Sequence, residues 1–128
     1  MTVERSRAYA SFVLRKERES DGTGELLQGT LDMLVLKALH LEPMHGWGIT
    51  ERIEQWSDSV LRLGQGTLYP ALYRLERQGL IRSRWQVTEN NRRARYYSLT
   101  REGRRHFDAE LAQWRRMSHA VNLVLDAT

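Results

Sequence analysis

Residues 66–81, GTLYPALYRLERQGLI, predict a short amphipathic helix that runs directly into a strand. Leu68, Leu72 and Leu75 are separated by four and then three residues, so they share the buried face of this helix. The opposite face carries polar, aromatic and cationic residues instead of the usual Glu and Lys: Pro70, Tyr73, Arg74 and Arg77. Such a face is typical of a helix that enters a DNA groove, where it can hydrogen bond, stack and neutralise phosphates.

Both ends of this helix have sequence signals. Thr67 is the predicted N-cap, Pro70 falls in the first turn, where a missing N–H costs nothing, and Gly79 is suited to a left-handed helix end. A helix with these bounds has about three turns, the length of a recognition helix.

Two strand-like runs follow, residues 80–87 and 94–99, joined by the turn-rich, basic segment TENNRR at 88–93. Alternation along the first run places four residues on one, half-buried face: Ile81, Ser83, Trp85 and Val87. In the turn, Asn90 and Asn91 tolerate the positive φ of a tight connection. A helix followed by a hairpin with arginines at its tip predicts a winged helix-turn-helix, which places the helix in the major groove and the wing on a minor groove or phosphates.

The positive charge is concentrated in this region of the chain. Residues 74–105 contain ten Arg and three Glu, a balance of +7, whereas the whole chain carries +4 and the remainder therefore −3. Charge confined to one helix and its hairpin is the electrostatic footprint expected for a polyanion partner.

The N-terminal part of the chain divides into an arm and a helix. Residues 1–24 form the arm, either a short helix that packs on a partner or a disordered segment. From residue 25 to 41 we predict a helix with two apolar faces, one for the domain core and a second made by Leu26, Met33 and Leu36. The second face implies another packing surface, either the C-terminal helix or a second subunit. A following helix is expected to bury Ile49, Ile53 and Trp56, which completes a DNA-binding domain over residues 25–99.

Residues 100–128 predict one long C-terminal helix with Thr100 as its cap. Its apolar residues, Phe107, Leu111, Trp114, Val121 and Leu125, follow heptad-like steps, with Ser118 as the polar member. We interpret it as a dimerisation helix; the alternative is a helix folded back on its own domain. The predicted dimer interface is Leu26, Met33, Leu36, Phe107, Leu111, Trp114, Val121 and Leu125. The expected fold class is mainly α with a small β-hairpin, a winged helix-turn-helix plus a C-terminal dimerisation helix.

Several other classes of function find no support in the sequence. The chain has no cysteine, no stretch long and apolar enough for a membrane span, and no signal peptide, so we expect a cytoplasmic protein. Its four histidines lack metal-ligand spacing, and neither a phosphate-binding loop nor a nucleophile elbow is present. We therefore predict no enzyme activity, no cofactor and no metal site.

The segments LLQGTLDMLVLKAL, MHGWGI, GTLYPALYRLERQGLI and ENNRRARYYSLTREG together resemble the PadR family of bacterial transcriptional regulators. The resemblance runs from Leu26 to about Leu125 and is to the compact subgroup with a single C-terminal helix. It implies a dimeric repressor whose first and last helices form the interface. It also raises the expectation of a planar aromatic effector, for which Trp114 and Met117 are the candidate pocket; a fully packed seam is the alternative.

The predicted function is a sequence-specific DNA-binding transcriptional regulator, a dimeric repressor that acts on double-stranded DNA at a palindromic operator. The alternative is a winged-helix protein-interaction module without a DNA target, which the localised charge disfavours. Tyr69 has a second interpretation, as a partly buried packing residue. The candidate DNA-binding residues are Gln65, Thr67, Tyr69, Tyr73, Arg74, Arg77, Asn91, Arg92, Arg93 and Arg95.

Overall fold

The computed structural model describes residues 28–128. The predictions for the arm at 1–24 and for Leu26 fall outside the described residues. The elements of the described part, in chain order, are α1 Gln28–Leu41, β1 Met44–His45, α2 Gly46–Trp56, α3 Gln65–Arg77, β2 Ile81–Val87, β3 Arg93–Leu99 and α4 Arg101–Leu125. They confirm the predicted fold class, mainly helical with a small antiparallel sheet and the plan of a winged helix.

The sheet has three strands in the order β1-β3-β2, one more than the predicted hairpin. The added strand is β1, which pairs Met44 with Tyr97 and His45 with Tyr96. Two residues are too few to show an alternating pattern, so this strand was not predictable. His45 is also the N-cap of α2: its Nδ1 atom accepts a hydrogen bond from the Gly48 N–H at 3.0 Å.

An apolar core lies between the first three helices and the base of the sheet. Its fully buried side chains include Leu36, Ile49, Leu68, Leu72 and Ile81. Burial of this set fixes the inner face of every element that surrounds it, and that in turn sets which residues point outward.

The second apolar face of α1 is covered within the protomer. Met33, Leu36 and Phe107 are buried, and α1 packs on α4, with the His40 and Phe107 rings 5.3 Å apart. This corrects the prediction that these three side chains form a dimer interface, because none of them is available to a second subunit. Leu111 is half-buried and also packs on the core.

Two aromatic residues predicted on inner faces are exposed instead. Trp56 is 47% exposed at the end of α2, where Lys37 and Arg52 lie over its ring. On β2 only Ile81 is fully buried, whereas Trp85 is 54% and Val87 61% exposed, because the hairpin extends past the helices that cover its base. Alternation predicted which β2 residues share a face, but not where the core ends.

The turn from α3 to β2 and the start of α4 meet at one point. Gly79 ends α3 with φ of +77°, as predicted. The Thr100 hydroxyl donates to the Gly79 carbonyl at 2.7 Å and accepts from the Gly103 N–H at 2.9 Å, so Thr100 is the cap of α4, as predicted. Gly103 lies directly against the Leu80 carbonyl, and a Cβ added there would overlap that oxygen.

No described helix is long and apolar enough to cross a membrane.

We expect Gly103→Ala to lower the free energy of unfolding by about 1–3 kcal/mol, since the added methyl group must displace backbone. Gly66→Ala is the matched control, because among the described residues nothing lies within 4 Å of a Cβ placed there. The control should stabilise the protein by up to about 1 kcal/mol. Urea denaturation measures both, and equal stability of the two variants would contradict the close packing at Gly103.

Candidate nucleic-acid interface

Helix α3 is held by its apolar face, so its polar face is turned to solvent. Leu68, Leu72 and Leu75 are buried against the core, as the spacing predicted. Tyr73 is 62% exposed, and Arg77 is exposed one turn further on. The burial of one face therefore presents the other, as a recognition helix requires.

The start of α3 differs from the prediction. The helix begins at Gln65 with Gly64 as N-cap, and the Thr67 and Leu68 N–H groups both donate to the Gly64 carbonyl. Thr67 is thus inside the first turn and not the cap. Pro70 is the sixth helical residue and interrupts the hydrogen bonding within α3, instead of lying in the first turn.

Tyr73 and Arg77 form a pair on the exposed face of α3. The Arg77 guanidinium lies 5.6 Å from the centre of the Tyr73 ring, and its Nη1 donates to the Tyr73 hydroxyl at 3.3 Å. Residues four apart on a helix are neighbours, so this contact holds the arginine along the helix before any ligand arrives.

Arg74 does not belong to this exposed face. Its Nη2 donates to the Asp32 carboxylate on α1 at 2.8 Å, and the Arg74 Nε is buried without a partner among the described residues. The prediction of Arg74 as a DNA contact is corrected by this geometry, because the guanidinium is committed to α1. Helical periodicity placed Arg74 on the outer face with Tyr73 and Arg77, and it could not show a carboxylate 42 residues away.

The Asp32–Arg74 pair orients α3 more than it stabilises the fold. Burial raises the pKa of Asp32, and the hydrogen bond and positive charge of Arg74 lower it by less. Desolvation therefore exceeds the gain from the ion pair, as is common for partly buried pairs. What the pair contributes is a directional link between α1 and the recognition helix.

A second set of polar contacts links α3 to the wing, the β2–β3 hairpin. Ser83 on β2 donates to the Glu76 carboxylate at 2.8 Å, and the Arg95 Nε on β3 donates to Ser83 at 2.8 Å. Arg95 is therefore partly committed to this contact, although its side chain remains 44% exposed. The contact fixes the wing relative to α3.

The tip of the wing is ordered by Thr88. Its hydroxyl accepts from the N–H groups of Asn90 and Arg92, both at 3.3 Å, and its N–H donates to the Arg92 carbonyl. Asn91 has a positive φ of 60°, which its residue type allows, whereas the φ of Asn90 is not positive. This turn leaves Arg92 and Arg93 exposed at the tip, where both line a cleft that Gln65 and Tyr69 at the start of α3 also line.

Three further aromatic residues lie beside these arginines. Trp85 has the Arg93 and Arg95 guanidinium groups 5.1 and 5.7 Å from its ring centre. Tyr69 is 46% exposed and the end of its ring lies against Gly46, so it is both a surface residue and a packing residue. Trp47, at the start of α2, is 63% exposed. Sequence reasoning missed both tryptophans, although the cross-strand pairing of Trp85 with Arg95 was a usable signal.

The interface is thus an exposed helix face and an arginine-rich wing, in a rigid relative position. Across residues 28–128 no group of three or more His, Asp or Glu is arranged to hold a metal ion. The model of the transcriptional regulator PadR-like family matches residues 35–109. The chain belongs to the PadR-like family. It is therefore a DNA-binding transcriptional regulator, and its family and structural neighbours are regulators and not enzymes.

Solved PadR-family structures are similar along almost their whole length. A PadR family transcriptional regulator from Eggerthella lenta is 31% identical, with 98% of this chain and 99% of that chain covered and a TM-score of 0.69. A PadR family regulator from hypervirulent Clostridium difficile is 29% identical, over 73% of this chain and 96% of that one, with a TM-score of 0.65.

One relative is much longer. An uncharacterized 37.1 kDa protein in a transposon of Streptomyces fradiae is 43% identical over 89 residues, 70% of this chain. The match spans only 24% of that protein.

We expect Arg74→Met to lower the free energy of unfolding by about 1–3 kcal/mol, because the Asp32 carboxylate is left half-buried without its partner. The double variant Asp32→Leu/Arg74→Met should recover most of this loss, since it leaves no unpaired charge. Because burial raises the pKa of Asp32 in the folded state, protonation favours folding as the pH falls. Without Arg74, the hydrogen bond and the charge that lower the pKa of Asp32 are lost, so this pKa rises further in the variant and the deficit of Arg74→Met should shrink as the pH falls. A deficit that is independent of pH and unchanged in the double variant would contradict the assigned role.

Proposed function

We propose that this PadR-like regulator is a dimeric repressor, active in the cytoplasm, that recognises a palindromic operator through α3 and its wing. The observation that carries the proposal is the pre-ordered Tyr73–Arg77 pair on the exposed face of α3, together with Arg92 and Arg93, which are exposed at the wing tip. A side chain held near its bound position loses less conformational entropy when it binds. Residues 25–99 are the proposed DNA-binding domain and residues 100–128 the dimerisation helix.

The proposed roles divide between base reading and backbone contact. Tyr73 and Arg77 are exposed on the C-terminal half of α3, and we assign them to base edges in the groove. Gln65, Thr67 and Tyr69 lie at the entry of α3, and Asn91, Arg92 and Arg93 on the wing are placed for phosphates or a minor groove.

We expect Arg77→Ala to weaken binding to the operator more than binding to random DNA, by about 1–3 kcal/mol if it reads a base. Arg92→Ala should weaken both by similar factors, because a phosphate contact carries no sequence information. The operator is defined by selection from a random pool of duplexes, which also shows whether it is palindromic. Fluorescence anisotropy with labelled duplexes measures the four affinities. Equal losses on both duplexes for Arg77→Ala would remove Arg77 from base reading.

The proposed dimer rests on the C-terminal part of α4, which extends past the core. Of the residues in this helix only Gly103 and Phe107 are buried. Beyond Leu111, the predicted seam is exposed in the protomer: Trp114 is 47%, Val121 47% and Leu125 73% exposed. A stripe of large apolar side chains at heptad-like spacing is what a second copy of the same helix would cover.

We expect Val121→Asp to dissociate the dimer, because a charge buried in the seam without a partner costs several kcal/mol. Val121 is a better position than Leu111, which also packs on the core of its own protomer. Ala120→Asp is the matched control: it adds the same charge at an exposed position about 100° around α4 from Val121, outside the heptad-like stripe. Analytical ultracentrifugation should show monomers for the first variant and dimers for the second, and an intact dimer with both would contradict the seam.

We further propose that a planar aromatic effector binds where two copies of α4 meet, at Trp114 and Met117. Both side chains are exposed in the protomer, and flat, polarizable groups suit such a ligand. The ligand would release DNA by preferring a state of the dimer in which the two recognition helices are wrongly spaced.

A panel of planar aromatic compounds should quench tryptophan fluorescence of the full chain, and Trp114→Ala should abolish the quenching. Trp56→Ala is the control, because Trp56 lies at the end of α2 and away from α4. Quenching that persists in Trp114→Ala would place the ligand elsewhere, and no response to any compound would favour a fully packed seam.

A further inference from the structure

A cleft of about 520 Å³ lies between the recognition helix and the wing. Its walls are the start of α2 with Trp47, the start of α3 with Gln65 and Tyr69, and the wing with Trp85 and Arg93. In a winged helix, α3 and the wing reach neighbouring grooves, and the DNA strand between two grooves is a sugar-phosphate backbone. The cleft therefore lies where this strand must pass.

The charge of the cleft fits such an occupant. The described residues that line it include Arg92, Arg93 and Arg95, and neither aspartate nor glutamate is among them. The groove on the other side of Trp47, about 450 Å³, has the opposite character, because Glu51 and Glu54 line it. Of the two grooves, only the one beside the wing is complementary to a polyanion.

Its two exposed tryptophans, Trp47 and Trp85, can donate hydrogen bonds, and Trp85 is held by two arginines. The Arg93 and Arg95 guanidinium groups lie over the Trp85 ring, so positive charge surrounds a ring that is still 54% exposed. Trp47 is 63% exposed on the facing wall. An indole N–H is a donor only, so it suits a phosphate oxygen, and hydrogen bonds to a charged acceptor are stronger than neutral ones.

We propose that this cleft holds the sugar-phosphate backbone of one DNA strand, and that Trp47 and Trp85 donate hydrogen bonds to its phosphates from opposite walls. The proposal rests on the DNA-binding function and adds two contacts to it. Such contacts set the register of the protein on the duplex and carry no sequence information. They can therefore be tested on random DNA, without knowledge of the operator.

The first measurement uses full-length chains that each keep one tryptophan, with the other three changed to Phe. A random-sequence duplex of about 24 base pairs at low salt should change the emission of the Trp47 and Trp85 proteins. The protein that keeps only Trp56 is the control and should be unaffected, because Trp56 is outside the cleft. Anisotropy of the labelled duplex records binding independently.

The second measurement compares salt dependence in the otherwise unaltered chain. Trp47→Phe and Trp85→Phe should each weaken binding to random DNA by about tenfold or more, since each removes one donor to a charged oxygen. The slope of log affinity against log salt should not change, because a neutral donor releases no counterion. Arg93→Ala should instead reduce that slope by about one for each phosphate contact removed.

DNA that binds without altering the emission of Trp47 and Trp85, or that binds both Phe variants with full affinity, would overturn the cleft assignment and leave the DNA-binding function intact. An anisotropy that does not rise at any protein concentration would overturn the DNA-binding function, and the cleft assignment with it.

Discussion

The contact between Thr100, Gly103 and the Leu80 carbonyl is the constraint on which the rest of the structure depends. The Thr100 N–H and hydroxyl both reach the Leu80 carbonyl at 3.1 Å, and the same hydroxyl caps the first turn of α4. Leu80 separates the end of the recognition helix from the first strand of the wing. One carbonyl group therefore links the helix proposed to face DNA, the wing, and the helix proposed to meet a second subunit.

This arrangement suggests how a signal at α4 could reach DNA. Because α4 begins against the α3–β2 turn, a tilt of α4 has to move that turn or break close contacts at Gly103. Packed junctions of this kind respond by moving as units and not by gradual deformation. In a dimer, a small rotation at the seam would then change the spacing between the two recognition helices.

The charged residues of the interface serve two different purposes. Arg74 and Arg95 are engaged by carboxylates, one on α1 and the other on α3 itself, and they hold α3 and the wing in position. Arg77, Arg92 and Arg93 remain exposed, and of these Arg77 is already ordered by Tyr73. Net charge alone does not separate these groups; only the partners of each guanidinium do.

What the sequence predicted and what it missed follow from the range of the interactions. Local signals were sufficient for the buried face of α3, whose leucines repeat with the helical period, for the left-handed Gly79 and for the Thr100 cap, but not for the N-terminus of α3. Contacts between distant segments were not predictable: the Asp32–Arg74 pair, the pairing of β1 with β3, and the burial of Met33 and Phe107 between α1 and α4. Periodicity shows which residues share a face, but not which other element covers it.

In the wing, too, the sequence pattern shows which residues share a face but not which of them are covered. Alternation correctly grouped Ile81 with Trp85 on one face of β2, yet the first is buried and the second exposed. The difference is the distance of each residue from the helices, which a strand pattern does not contain. The exposure of Trp85 is consequently a feature of the proposed DNA-binding surface that the strand pattern does not predict.

The central claim is that the exposed face of α3 and the wing of this PadR-like protein form its DNA-binding surface, and that two such surfaces act together in the proposed dimer. Its most direct test is the affinity of the full chain for duplex DNA as a function of salt, measured by anisotropy. If about six to ten phosphates are neutralised, affinity should fall by roughly 10³ to 10⁵ between about 50 and about 200 mM salt. An affinity that stays constant over this range would contradict the account.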